Sequence, residues 1–377
     1  MVSLEGRILS PVGWIEGMIR FENSILEITP VSISATSPWI VPGFIDVHVH
    51  GGAGADTMDG EDEVLELARF HAMHGTTALL PTTITNPWLN VLEGLRYVRR
   101  AMKMQAESLQ MGDGLAGARV LGAHLEGPFI SPKRLGAQPP FTLEPTAERL
   151  AEALEFGVIR VVTLAPEIGR GLEAAHAFAA AGVRVSIGHT AATTEQTELL
   201  LEVVHRSNGI ASGTHLFNAM GGLEGRNPGI VGALLGNART WAEVILDGHH
   251  VHASSFRTAY HAKPEHLMLI TDAIRAAGME DGEYDLGGQT VYVGNGTCTL
   301  EGGSLAGSLL TMDQAVRNAV KAGLSLEVAV KLASAHPAKY LGLQKKGSLT
   351  VGQDADIVVL DEHLNVSSVH VEGRQVA

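Results

Sequence analysis

From Gly43 onward the chain alternates short apolar runs with longer stretches in which apolar residues recur every three or four positions. The apolar runs predict eight strands, at 43–48, 76–84, 120–126, 158–165, 183–189, 210–215, 241–248 and 266–272. The intervening stretches read as amphipathic helices. Residues 61–74 place Val64, Leu67, Ala68 and His71 on one face, and 146–156 does the same with Leu150, Ala153 and Leu154. Thr193 and Gln196 have the spacing of a capping box opening a helix that runs to about residue 206. Apolar strands alternating with helices imply a parallel sheet covered on its outer side. Eight such units predict an α/β fold, a (β/α)8 TIM barrel. The alternative, a doubly wound open sheet, lacks the Gly-x-Gly-x-x-Gly turn after the first strand that would give it a dinucleotide to bind.

The rhythm fails in three places. Residues 1–41 read as short strands separated by turn residues, and residues 347–377 return to strands at 352–360 and 366–372. Each end is too small to bury a core alone. The two are therefore expected to meet in one small β-sandwich domain, 1–41 with 344–377, beside a catalytic barrel at 42–343. Residues 273–306 carry three short strand patterns around Gly287-Gly288 and Asn295-Gly296, a β-hairpin insertion at about 278–303.

Composition narrows the chemistry. The chain has 377 residues and a net charge of −14, which argues against general binding to nucleic acid or an anionic membrane. An anionic ligand would need a local cationic pocket. Cys298 is the only cysteine, so neither a disulfide framework nor a thiolate metal site is available. The absence of a signal-like segment or an apolar run of membrane-spanning length leads to the expectation of a cytoplasmic protein.

Seventeen histidines are present, and several stand at predicted strand ends. Strand one delivers His48 and His50, which point to the same face because they are two residues apart. Strand three ends in His124-Leu-Glu126, strand five in Gly188-His189, strand six in Thr214-His215 and strand eight in Thr271-Asp272. Strand seven runs into His249, His250 and His252, which cannot all share one reaction centre. In a barrel these ends converge on one mouth, where catalysis is expected. Three or four histidines with one or two carboxylates and no cysteine suit a hydrolytic zinc, iron or manganese site. His124 is placed equally well to ligate or to support Glu126.

The ordered blocks Pro42-Gly-Phe-Ile-Asp46, His124-Leu-Glu-Gly-Pro-Phe129, Ile187-Gly-His-Thr190, Thr214-His-Leu-Phe-Asn-Ala-Met220, Gly225-Arg-Asn-Pro-Gly229, Asp247-Gly-His-His-Val251 and Gly352-Gln-Asp-Ala-Asp-Ile-Val358 cover nearly the whole chain. Together they resemble the amidohydrolase superfamily, and within it the N-acetylglucosamine-6-phosphate deacetylases. The resemblance implies a main metal site at Glu126, His189 and His215. It implies a second, weaker site at His48 and His50, hence one or two divalent ions per subunit, and Asp272 as catalytic acid and base. It also implies contacts to a sugar phosphate from Asn218, Ala219, Arg226 and His250, and a closing loop at Leu305, Ala306 and Gly307. It further implies a homodimer in which Arg226 and His250 reach the neighbouring subunit's site.

The chain departs from the family pattern after Ala137. The resemblance implies that Ala137 and Gln138 contact the substrate, with Gln138 standing where the pattern has a histidine that touches the sugar. That leaves open the C4 epimer, N-acetylgalactosamine 6-phosphate, and also a related unphosphorylated N-acyl amino acid.

Overall fold

The computed structural model describes residues 1–34 and 36–377. Eight parallel strands form the barrel: Phe44–Val49, Thr76–Thr83, Ala123–Glu126, Ile159–Leu164, Arg184–Ile187, Ala211–Gly213, Trp241–Ile245 and Leu267–Ile270. The short strand Arg119–Val120 extends the third strand's pairing with the second. Strand and helix interiors meet in one large core in which Val47, Leu79, Leu125, Val162, Val185 and Leu269 are fully buried. The predicted capping box is present: Thr193 Oγ1 accepts from the Gln196 N–H, and Gln196 Oε1 accepts from the Thr193 N–H.

The eighth strand closes on the first through few but specific bonds. The Asp272 N–H donates to the His48 carbonyl at 2.9 Å, and the His50 N–H to the Ala273 carbonyl at 2.9 Å. Buried Asp46 fastens the same seam. Its Oδ2 accepts from the Thr271 hydroxyl at 2.5 Å, while Oδ1 accepts from the backbone of His48 and Thr271. Burial outweighs these bonds and raises the Asp46 pKa to about 7.

Strands from both chain ends join in one seven-stranded sheet, with Trp39–Pro42 between Ile357–Leu360 and Val2–Ser10. It has a separate core around Ile8, Ile19, Phe21, Ile40 and Ile357. Lys346 binds Asp354, Asp356 and Glu372, and Glu372 accepts a two-pronged bond from Arg119, which ties this sheet to the barrel. The insertion is a three-stranded meander, Gly282–Leu286, Gln289–Gly294 and Thr297–Thr299. It packs Leu286, Val291 and Cys298 over Ile84 and Ile274 at the barrel mouth. No helix among the described residues is long and apolar enough to cross a membrane.

Candidate active site

Three strands deliver their polar residue in the same way. The ladders end at Ile187, Gly213 and Ile270, and His189, His215 and Asp272 each follow two residues later. All three adopt positive φ, at 47°, 31° and 51°. A left-handed turn of this kind costs a non-glycine residue of order 1–3 kcal/mol and is kept where packing over-determines it. Here it swings each side chain from the barrel wall into the mouth. His48 and Glu126 instead project from within their strands.

The side chains converge. Glu126 Oε1 lies 3.1 Å from both His189 Nε2 and His215 Nε2, which are themselves 3.0 Å apart. Glu126 Oε2 lies 3.2 Å from His50 Nε2. Asp272 Oδ1 sits 3.4 Å from His48 Nε2 and 3.2 Å from His50 Nε2. Two donor sets thus share Glu126: one with His189 and His215, the other with His48 and His50.

The outer ring nitrogens show why the inner ones face the centre. His189 Nδ1 donates to the Arg134 carbonyl at 3.1 Å, and His50 Nδ1 to the Thr82 carbonyl at 3.2 Å. His48 Nδ1 is held by Glu243 at 3.1 Å, and its buried Nε2 has no hydrogen-bond partner among the described residues. Each Nε2 is therefore aimed inward, at the carboxylates of Glu126 and Asp272 and at the neighbouring imidazoles. Buried nitrogen and oxygen ligand atoms this close, with His48 Nε2 left without a hydrogen-bond partner among the described residues, fit a divalent cation of the zinc, iron or manganese kind.

Metal-free electrostatics carry the same message. Burial alone would lower the His50 pKa, but bonds to Asp272 and Glu126 raise it to about 9. Burial would raise Asp272, but the charges of His48 and His50 hold it at about 2. Glu126 is likewise held well below the usual carboxylate range by His48 and His189, against the effect of burial. Glu126 and Asp272 thus stabilise His48 and His50 as ions and are stabilised by them in turn, a role a bound cation would take over.

The surrounding cavity has a volume of about 260 Å³, which limits it to a small molecule. Ala137, Gln138, Asn218, Ala219, His250, Leu305 and Gly307 line it beside the ligand groups. His250 was expected to serve a neighbour's site, but it lines its own chain's cavity. Asp247 accepts from its Nδ1 at 2.7 Å and from its backbone N–H, which turns Nε2 toward the cavity. Burial would lower the His250 pKa; Asp247 outweighs it and raises it. Two other expected contacts lie off the cavity. Ala306 is fully buried in the core of the insertion, where its N–H donates to the Cys298 carbonyl. Arg226 is exposed and makes no hydrogen bond or ion pair among the described residues. Gly307 must be glycine: at φ 63° a Cβ would stand 2.4 Å from Ile274 and 3.1 Å from the Asp272 carbonyl.

Gln138 lines the cavity, but both ends of its amide are engaged with the protein. Oε1 accepts from the Thr85 N–H at 2.7 Å, and Nε2 donates to Glu126 Oε2 at 2.5 Å. Because an N–H can only donate and a carboxylate only accept, these partners fix which amide atom faces which way. His124 is not placed to ligate. Its Nδ1 donates to the Val47 carbonyl and its Nε2 is held by the Thr163 hydroxyl. Two buried carboxylates, Asp46 and Glu243, went unassigned in the sequence. The available signal was a charged residue in the middle of an apolar strand, which demands a partner.

The amidohydrolase family profile matches residues 39–376. The chain belongs to the amidohydrolase family. Within it, the N-acetylgalactosamine-6-phosphate deacetylase of Escherichia coli O157:H7 is 39% identical, over 98% of this chain and 97% of its own length. The N-acetylglucosamine-6-phosphate deacetylase of Lysinibacillus sphaericus is 41% identical, over 91% of this chain and 86% of its own. Among solved amidohydrolases, the N-acetyl-D-glucosamine-6-phosphate deacetylase of Mycobacterium smegmatis superposes with a TM-score of 0.89 at 33% identity. That match covers 100% of this chain and 99% of that one, whose structure holds N-acetyl-D-glucosamine-6-phosphate.

Proposed function

We propose that this amidohydrolase removes the acetyl group of N-acetylglucosamine 6-phosphate, giving glucosamine 6-phosphate and acetate. The observation that carries the reading is the convergence of Glu126, His189, His215 and Asp272 on one small cavity, in a chain whose near-full-length relatives are named for this reaction class. We assign zinc as the resident metal, with iron and manganese as ions of compatible ligand chemistry. Glu126, His189 and His215 would hold the main ion, and His48, His50 and Glu126 a second, weaker one. A divalent cation so held supplies Lewis acidity toward the amide carbonyl and toward a water molecule.

The protein's own groups do the rest. Asp272, ionised at neutral pH, accepts the proton of the attacking water at Oδ1 and returns it to the departing amine nitrogen. One carboxylate thus serves first as base and then as acid. His250, fixed at Nδ1 by Asp247, presents Nε2 as a donor to the carbonyl oxygen or the phosphate. Asn218, Ala219 and the loop bearing Leu305 and Gly307 bound the sugar.

A phosphate also needs a cation, and among the described residues no lysine or arginine lines the cavity. We therefore assign that role to the partner subunit's Arg226 in a homodimer, since this chain's own Arg226 is exposed and unpaired on its loop. The guanidinium fork suits a phosphate.

A second reading, N-acetylgalactosamine 6-phosphate, is favoured by the Escherichia coli relative that matches over nearly its whole length. An acetate-release panel of both N-acetylhexosamine 6-phosphates and their unphosphorylated forms, run with elemental analysis, decides between them. Equal rates with and without the phosphate would sink the phosphate site. A clear preference for the galacto compound would replace the first reading by the second.

A further inference from the structure

Glu243 lies in the middle of the seventh barrel strand, wholly buried between Ala242 and Val244. An anion there is costly unless it is paired or hydrogen-bonded. Its Oε2 lies 3.1 Å from His48 Nδ1 and accepts from the His215 N–H at 3.3 Å, while Oε1 has no hydrogen-bond partner among the described residues. One carboxylate oxygen therefore touches the first and sixth strands at once. Through them it reaches a member of each of the two donor sets that share Glu126.

His48, His124 and Glu243 are close enough together to suggest a third cation site. The hydrogen bonds of His124 argue against that. Its Nδ1 faces the Val47 carbonyl at 3.0 Å and its Nε2 the Thr163 hydroxyl at 2.7 Å, which leaves no lone pair for a metal. Glu243 therefore touches the imidazole of one candidate ligand only, His48, since its contact with His215 is to the backbone N–H. His50 and His189 are oriented by neutral backbone carbonyls. His48 is oriented by a carboxylate, and a carboxylate on the outer nitrogen makes the inner nitrogen a stronger ligand.

We propose that Glu243 is a positioning residue that keeps a proton on His48 Nδ1, offers Nε2 to the cation, and so sets the affinity of the His48, His50 and Glu126 donor set. The proposal rests on the metal-centre reading but not on the identity of the sugar.

The test uses full-length protein stripped of metal and titrated with Zn²⁺ against a chromophoric chelator, with metal content measured after dialysis. Glu243→Leu should weaken the second ion by roughly 10- to 100-fold. Glu243→Gln, which keeps an acceptor oxygen but loses the charge, should weaken it by less. In a His48→Ala background neither substitution should cause further loss. Affinity at the wild-type level in both variants overturns the proposal, as does a full additional loss when His48 is already alanine. If Glu243→Leu does not fold by circular dichroism, the isosteric Glu243→Gln decides by the same criteria. Because the readout is metal affinity, wild-type protein that binds two ions yet releases no acetate from any amino sugar would sink the deacetylase reading and leave this one intact.

Discussion

Gln138 offers the sharpest test of how the centre is held. Replacing it with leucine keeps the approximate volume and removes two hydrogen bonds, one from Nε2 to Glu126 Oε2 at 2.5 Å and one from the Thr85 N–H at 2.7 Å. The first is a bond to a buried carboxylate, worth about 1.5–3 kcal/mol. At 1.4 kcal/mol per decade that is roughly 10- to 150-fold in an equilibrium constant. Since Glu126 belongs to both donor sets, the loss should appear as weaker binding of either ion and as a lower kcat at limiting metal. The second bond leaves a buried backbone N–H unpartnered, at a cost of about 1–3 kcal/mol in fold stability. Gln138→His should be far milder, because a neutral imidazole still has one donor and one acceptor. The assays are chelator competition for metal affinity, steady-state acetate release at saturating metal, and thermal melts. If Gln138→Leu raises KM while metal affinity and melting temperature stay at wild-type values, then Gln138 reads the sugar and does not orient Glu126.

Asp272→Asn should lower kcat by roughly 10²–10⁴-fold, the usual worth of a positioned general acid/base, while metal content stays intact; turnover near the wild-type rate would remove Asp272 from the mechanism. Arg226→Gln should raise KM for the phosphorylated sugar and leave the poor rate on the unphosphorylated sugar unchanged. Mixing Arg226→Gln with Asp272→Asn protein should restore roughly a quarter of wild-type activity, because half the dimers are mixed and each has one complete site; no recovery would refute an arginine supplied across the interface. Metal-stripped protein should lose stability as pH rises. The His50 pKa is raised from 6.5 to about 9, so its contribution is full below pH 6.5 and gone above about 9. Asp46, raised from 3.8 to about 7, has the same sign, its contribution present below about pH 4 and lost through pH 7. Melting temperatures that are flat or rising between pH 6.5 and 9 without metal would contradict the His50 shift; the Asp46 shift predicts a fall between about pH 4 and 7 that Asp46→Asn removes, and an unchanged pH profile in that variant would contradict it.

Most of the centre could be read from the chain because barrel strands are apolar. A histidine or carboxylate that closes such a run stands out, and the fold then carries all such residues to one end. That logic found His48, His50, Glu126, His189, His215 and Asp272. It could not find the left-handed turns that aim His189, His215 and Asp272, since no glycine marks them. It also passed over Asp46 and Glu243, which sit inside strands rather than at their ends. Their functions depend on which strands become neighbours. Asp46 joins strand one to strand eight, and Glu243 reaches from strand seven to strands one and six. Such pairings are three-dimensional and leave only a weak trace, an unexplained charge in an apolar segment. Gln138 shows the opposite limit. Its position was marked by a departure from a familiar pattern, which suggested a contact to substrate, whereas the folded chain turns both ends of its amide to Thr85 and Glu126.

The arrangement around Glu126 bears on whether two divalent ions would bind equally. Oε1 faces His189, His215 and, at 3.5 Å, His48. Oε2 faces His50 and also takes the Gln138 donor. The Gln138 bond orients Glu126 for both donor sets, which is its larger effect, but it also commits part of the electron density of the oxygen on the His50 side, while Oε1 meets only imidazoles. The His189 and His215 set should accordingly fill first. The His48 and His50 set starts with a weakened carboxylate oxygen and depends more on the basicity of its imidazoles. A buried anion at Glu243 raises that basicity at His48. An asymmetry between two such ions would thus follow from two residues outside both donor sets, Gln138 drawing on Glu126 and Glu243 strengthening His48.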